Sequence, residues 1–171
     1  MNNQGASSSS LTQWKWLWNL SLPPKVKLFT WRLIKGLLPT RADLIRRKIT
    51  TDGICQHCGN SMETTEHLFR DCEWSMHFWY SSCLRVNIKE NESRHNLADW
   101  IFKIKSQLPS EGTSLFFTFL WYIWYARNVL VHEKKIIQIM DCHRKALSIL
   151  FEYQEANQKT KPHPEINVGK Y

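Results

Sequence analysis

Apolar residues recur three and four positions apart over most of this chain, and the pattern predicts helices with no convincing strand alternation and no internal repeat. Pro23 and Pro24 suit a helix start, Val26, Phe29, Leu33 and Ile34 follow on one side, and Gly36 and Pro39 end the run. Thr40 followed by Asp43 reads as a variant capping box. It opens a short second helix that turns Leu44 and Ile45 inward and carries Arg46, Arg47 and Lys48 at its C-terminal end, where the helix dipole favours cations. Residues 51–60 read as a turn segment, marked by Asp52-Gly53 and Gly59. Helical pattern returns from Thr65 to Arg70, and again after Cys72 through Trp74, Phe78, Trp79 and Leu84.

The mostly polar stretch 87–96 interrupts this order, and an amphipathic helix with Leu97, Trp100, Ile101 and Ile104 follows until Pro109-Ser110-Glu111-Gly112 breaks it. Two more helices are expected, over about 114–131 and 134–157. In the second, Ile136, Ile137, Met140, Leu147, Leu150 and Phe151 should face a partner, most simply the helix before it. The most apolar run, Leu115 to Ala126, is little more than half of the roughly 20 residues a membrane span needs, so it reads as a buried core helix. Nine tryptophans in 171 residues, six of them in the first half, require a packed core there.

Charge changes the picture. Up to Thr50 there are nine basic residues against Asp43 alone, so this segment carries the whole formal charge of +8, and the rest is balanced. Such a field attracts polyanions, nucleic acid above all, although a solvated helix face is as good a reading of composition alone. Lys25, Lys27, Arg32, Lys35, Arg46, Arg47 and Lys48 are the candidate contacts to RNA or DNA phosphates. Met1 to Ser10 is polar and Ser-rich, which suggests a disordered tail and no secretory signal.

Five cysteines, an odd number, do not suggest a disulfide framework. Cys55 and Cys58, two residues apart, need a tight turn to aim both sulfurs at one ion. Gly59 permits the positive backbone angle of such a turn, and backbone N–H groups then point at the thiolates. His67 and Cys72 supply two further corners, from a short helix and from its end, because five positions do not share one helix face. Three soft sulfurs and one nitrogen favour a single Zn2+ over magnesium or calcium, and four protein ligands leave no open position for catalysis. One negative charge remains on such a site, which Arg70 and the basic helices can offset. His57 and His77 are the rival ligands, while Cys83 and Cys142 read as small buried hydrophobes. Metal and cysteine usage together suggest a reducing, intracellular setting, nucleus or cytoplasm undistinguished.

These residues resemble a known family. Trp18, the run Pro24 to Arg32, Leu37 to Thr40, Leu44 with Arg47, Cys55, Cys58, Glu63 to Phe69, Cys72 and Trp79 resemble the zinc-binding domain of reverse transcriptases in plant non-LTR retroelements. Trp121 to Asn128 with His132 is similar to the helical stretch joining that domain to a ribonuclease H domain, and Lys161 to Pro164 with Ile166 to Val168 to its entry. Gly169 stands where that resemblance implies a catalytic Asp. The implied organisation is a disordered tail (1–12), a zinc-binding domain (13–85), a linker (86–95), a helical region (96–158) and a disordered remnant of ribonuclease H entry (159–171). The fold class expected is mainly α, zinc-stapled, with a C-terminal helical hairpin. The function expected is a non-enzymatic zinc module that contacts nucleic acid and takes neither a membrane nor a small-molecule substrate. A protein interaction module or an inert retroelement fragment is the alternative, and oligomeric state is left open.

Overall fold

The computed structural model describes residues 7–86 and 96–159, and the first six residues, all but the first residue of the expected linker and nearly all of the expected C-terminal remnant lie outside them. Seven α-helices are present among the described residues: α1 (Ser7–Asn19), α2 (Pro24–Ile34), α3 (Arg41–Arg46), α4 (Glu73–Ser81), α5 (Leu97–Gln107), α6 (Ser110–Glu133) and α7 (Ile139–Lys159), with a π-helical turn, His67–Asp71, ahead of α4. Among these residues the only β pairing is a single bridge, Ile54 with Met62. The fold is thus mainly α, with a cluster of three cysteines and a histidine between α3 and α4.

Local signals account for most of the helix ends. Pro24 sits in the first turn of α2, where its missing N–H costs nothing. Thr40 is the N-cap of α3 and its hydroxyl oxygen accepts from the Asp43 amide at 3.4 Å. Asn96 caps α5 in the same way, its side chain accepting from the Asp99 amide at 2.9 Å. α1 begins at Ser7, inside the polar N-terminal stretch. α6 begins at Ser110, not near 114: Pro109 opens the helix from the N-cap position instead of breaking the chain, and Gly112 lies in the first turn, where a Cβ would come within 3.3 Å of Pro109. α7 starts later than 134 because Lys134 ends α6 in the left-handed conformation, φ 57°, and the residues up to Gln138 are irregular.

One apolar core runs from Leu22 to Leu150 and draws on α2, the π-turn and α4 to α7. α6 is its axis. Thr113 to Leu120 is buried without a gap, as expected of the core helix, and α7, α2 and the π-turn all pack on α6. Trp79 sits where these elements meet, 5.3 Å from Phe116 and 6.0 Å from Trp100 between ring centres, and its indole N–H donates to the Phe69 carbonyl at 2.8 Å. No helix among the described residues is long and apolar enough to cross a membrane.

α7 packs on α6 through a face that only partly matches the expected one: Leu150 is buried and Ile137, just before the helix, packs on the core. Cys142, His143, Ala146 and Leu150 are its buried residues, whereas Met140, Leu147 and Phe151 are exposed, as is Ile136 just before the helix. Small side chains at 142 and 146 allow close approach to α6. Cys142 is buried as expected; Cys83 is exposed instead.

Candidate metal centre

Two short devices bring the metal-type residues together. The first is a tight hairpin, closed by the Cys55 amide to the Ser61 carbonyl and the Glu63 amide to the Gly53 carbonyl, each at 2.8 Å. A Cβ at Gly53 would lie 2.3 Å from the Met62 sulfur and 2.5 Å from the Ile45 Cδ1, so those two side-chain ends would have to shift to admit one. At its tip the Gly59 amide donates to the Cys55 carbonyl at 2.8 Å, and Gly59 takes the positive φ, 69°, that the turn demands. The amides of His57 and Cys58 favour a thiolate at Cys55, and those of Trp74 and Ser75 do so at Cys72, which stands at the N-cap of α4.

The second device is the π-turn. The Cys72 amide donates to the carbonyl of His67, five residues back, at 2.7 Å. This wide turn carries Cys72 round to the side of His67, which an α-turn would not do. Carbonyls freed by the widening find other donors: the Ser75 hydroxyl reaches Leu68 at 2.5 Å and the Trp79 indole reaches Phe69.

One candidate ligand atom from each of Cys55, Cys58, His67 and Cys72 lies within 4.8 Å of the other three. The sulfurs of Cys55 and Cys72 are 3.9 Å apart, and the Cys58 sulfur is 3.3 Å from His67 Nε2. A tetrahedron built from zinc–sulfur and zinc–nitrogen bonds has edges of about 3.6–3.8 Å, so the cluster can hold one zinc ion with little adjustment. Cys55 and Cys72 are both buried, with their sulfurs in hydrogen-bond contact. The hydrogen bond from Cys72 draws the Cys55 thiol below its ordinary range, and the same bond, with burial, pushes Cys72 above it. A dication dispels that conflict by holding both as thiolates.

The rival histidines are placed elsewhere. His57 stacks on Trp74 at 4.3 Å, and burial, aided by the charge of Arg127, lowers its pKa to about 4. His77 lies on the exposed side of α4. Arg70, an expected counter-charge, is engaged by Asp71 through Nε at 2.6 Å and Nη2 at 3.0 Å.

A buried ion pair ties this loop to α6, and the sequence reading missed it. Glu63 is fully buried and Arg127 nearly so; Arg127 Nη2 donates to Glu63 Oε1 at 2.5 Å and Nε donates to both carboxylate oxygens at 3.1 and 3.2 Å. The Arg41 amide adds a further bond to Oε1 at 3.0 Å, and Arg127 also lies over the Trp124 ring.

The candidate phosphate contacts differ among themselves. Lys25 and Arg32 on α2 and Lys35 at its C-cap recur at helical spacing, with Leu28 between them, and all four are exposed. Lys25 caps the face of Trp121 and Lys35 that of Trp14. Lys27 is part-buried, its ammonium donates to the Trp18 carbonyl at 2.7 Å, and burial lowers its pKa. Arg46 pairs with Asp43 at 2.5 Å, while Arg47 and Lys48 follow it on the surface, Lys48 with φ 58°.

No solved structure matches the chain. Over 115 residues, 63% of its length, it is 24% identical to an Arabidopsis thaliana protein provisionally named a ribonuclease H protein, of which the match spans only 18%. The family described as zinc-binding in reverse transcriptase matches residues 2–79, the segment that holds the hairpin, the π-turn and all four candidate ligands. That segment is similar to the zinc-binding domains of reverse transcriptases.

Proposed function

We propose that this chain is a non-catalytic zinc-stapled module that holds nucleic acid by its phosphates. Cys55, Cys58, His67 and Cys72 bind one structural zinc, and with four protein ligands the ion has no position left for a substrate or water. In this reading residues 13–85 are the zinc-binding unit and residues 96–158 a helical buttress, with 86–95 as the connection and Glu63–Arg127 as the tie between them. The family's description places such domains in reverse transcriptase, and the relative's name refers to another nucleic-acid enzyme.

The observation that carries the reading is the outward face of α2. Lys25, Arg32 and the C-cap Lys35 lie along ten helical steps, about 15 Å, long enough to meet successive phosphates of one strand. Arg47 and Lys48 extend the positive surface at the end of α3. Charge neutralisation of this kind is indifferent to base sequence and sensitive to salt.

Fluorescence anisotropy with labelled single-stranded RNA, single-stranded DNA and duplex DNA, each across a salt series, tests it. Binding should weaken log-linearly with salt, and Ala at Arg32, Arg47 and Lys48 should each lower the slope by about 0.7–0.9. Absence of binding at low salt, or slopes untouched by the three substitutions, refutes the reading.

A further inference from the structure

At 100° per residue, Trp121, Tyr125, Asn128 and His132 of α6 fall within about 60° of one another, and all four are exposed or half-buried on a helix mostly sunk in the core. α2 flanks this sector at one end, where the Lys25 ammonium lies 4.6 Å from the Trp121 ring centre. Trp121 is in turn stacked on Tyr125, 5.5 Å between centres and 14° between planes. Buried Tyr122 braces both rings through T-shaped contacts at 4.8 and 5.9 Å. Among the described ring contacts this row of cation, indole and phenol ends at Tyr125, which is 38% exposed.

α3 flanks the other end. A cleft of about 350 Å³ opens there between α3 and the last turns of α6, and no carboxylate lines it. Three of its polar groups keep a donor free. Arg41 Nε is buried with no acceptor, while its guanidinium is held by Asp52 through Nη1. Asn128 accepts from Arg127 Nη1 at 3.0 Å through its carbonyl, which leaves its NH2 to donate. Thr50 accepts from the Asp52 amide at 3.2 Å, which leaves its hydroxyl proton. Free donors without a neighbouring carboxylate suit an anionic oxygen. Asn128 joins the two ends, since it lines the cleft and stands three residues, about 4.5 Å of rise, past Tyr125.

We propose that this face of α6 receives one unpaired nucleotide of a single-stranded nucleic acid, its base stacked on Tyr125 and its phosphate on the donors of the cleft. The inference rests on the phosphate reading of α2 and narrows its substrate class: α2 supplies charge to any polyanion, and α6 the contact that needs a bare base. A base inside a duplex has both faces covered by its neighbours, so the platform rejects it, whereas every unpaired base offers a π-face whatever its identity. An apolar protein surface suits the site less, because it would bury the free donors without acceptors.

Fluorescence anisotropy of the full, zinc-loaded chain tests this across a salt series with three labelled probes of equal length: oligothymidylate, the same backbone with abasic residues, and a duplex. Oligothymidylate should bind roughly 5- to 150-fold more tightly than the abasic strand. Tyr125→Ala should erase that ratio without changing the salt slope or the affinity for duplex, and Tyr125→Phe should preserve it. Asn128→Asp, checked for fold by circular dichroism and for zinc content, should weaken oligothymidylate and the abasic strand alike. Equal binding of base-bearing and abasic strands, a ratio untouched by Tyr125→Ala, or oligothymidylate binding indifferent to Asn128→Asp overturns the proposal. Any of these, found together with a salt slope that still falls in the Arg32, Arg47 and Lys48 variants, leaves the α2 reading standing. Absence of all binding at low salt overturns both.

Discussion

Replacing Arg127 by Met keeps most of the side chain's length and removes its charge, leaving the Glu63 carboxylate fully buried with the Arg41 amide as its remaining donor among the bonds described. Three guanidinium contacts between 2.5 and 3.2 Å are lost at once. Breaking one side of a buried ion pair costs about 3–5 kcal/mol, because the survivor stays desolvated without compensation. Against a total stability of roughly 5–15 kcal/mol this is a large fraction. At about 2–4 °C per kcal/mol for a chain of this size, Tm should fall by roughly 6–20 °C. Urea unfolding followed by circular dichroism, on zinc-loaded protein, measures the same loss without relying on thermal reversibility. Glu63→Gln alone should cost a similar amount. The double variant Glu63→Gln/Arg127→Met should be less destabilised than the sum of the single changes, since neither side then buries an unpaired charge. A loss under about 1 kcal/mol for Arg127→Met, or strict additivity in the double variant, would show that the pair does not hold loop and helix together.

Removing the metal by chelation, or the ligand by Cys72→Ala, should abolish the ordered hairpin and π-turn. Structural zinc sites contribute about 10–16 kcal/mol, more than this fold has to spare. Mass spectrometry should find one zinc per chain, and amide exchange should find residues 53–72 unprotected after chelation. Gly59→Ala has open space for its methyl group, so its cost is backbone strain alone, about 1 kcal/mol, read as a roughly fivefold weaker zinc affinity in competition with a chelator. His143 is buried against Phe78 and Phe119, and desolvation holds its imidazole below the usual range despite a hydrogen bond to the Phe78 carbonyl. The folded state therefore binds fewer protons than the unfolded one, and the stability present above about pH 6.5 is lost as pH falls toward the depressed value. Tm measured from pH 8 to 5 should drop less steeply in His143→Gln, and equal slopes would discount the residue.

What the sequence disclosed was local. The start of α2 at Pro24, the cap at Thr40, the positive φ at Gly59 and the apolar helix through 115–126 each rest on neighbours a few positions apart. The four candidate ligands were legible for the same reason, since zinc constrains residue type and spacing together. The inward face of α7 was misread because a broad apolar sector has two edges. Large residues such as Met140 and Phe151 dominate its periodicity, yet Cys142 and Ala146 are small enough to let α6 approach. Glu63 and Arg127 lie 64 positions apart, and no local pattern announces that two such charges will meet in a dry interior. Likewise Pro109 looked like a stop and served as a start, which depends on the direction from which the next helix arrives.

The wide turn between His67 and Cys72 is in effect a ruler. Winding the same five positions as an ordinary α-helix would carry the Cys72 sulfur about 140° round the axis from His67, away from the other three ligand atoms. The stretch from Gly59 to Glu66 makes no such demand at its exposed tip, where Gly59, Asn60, Ser61 and Met62 all meet solvent. Single-residue insertions should therefore be accepted near Asn60 and rejected between Leu68 and Asp71, an asymmetry that an insertion library selected for zinc retention would reveal.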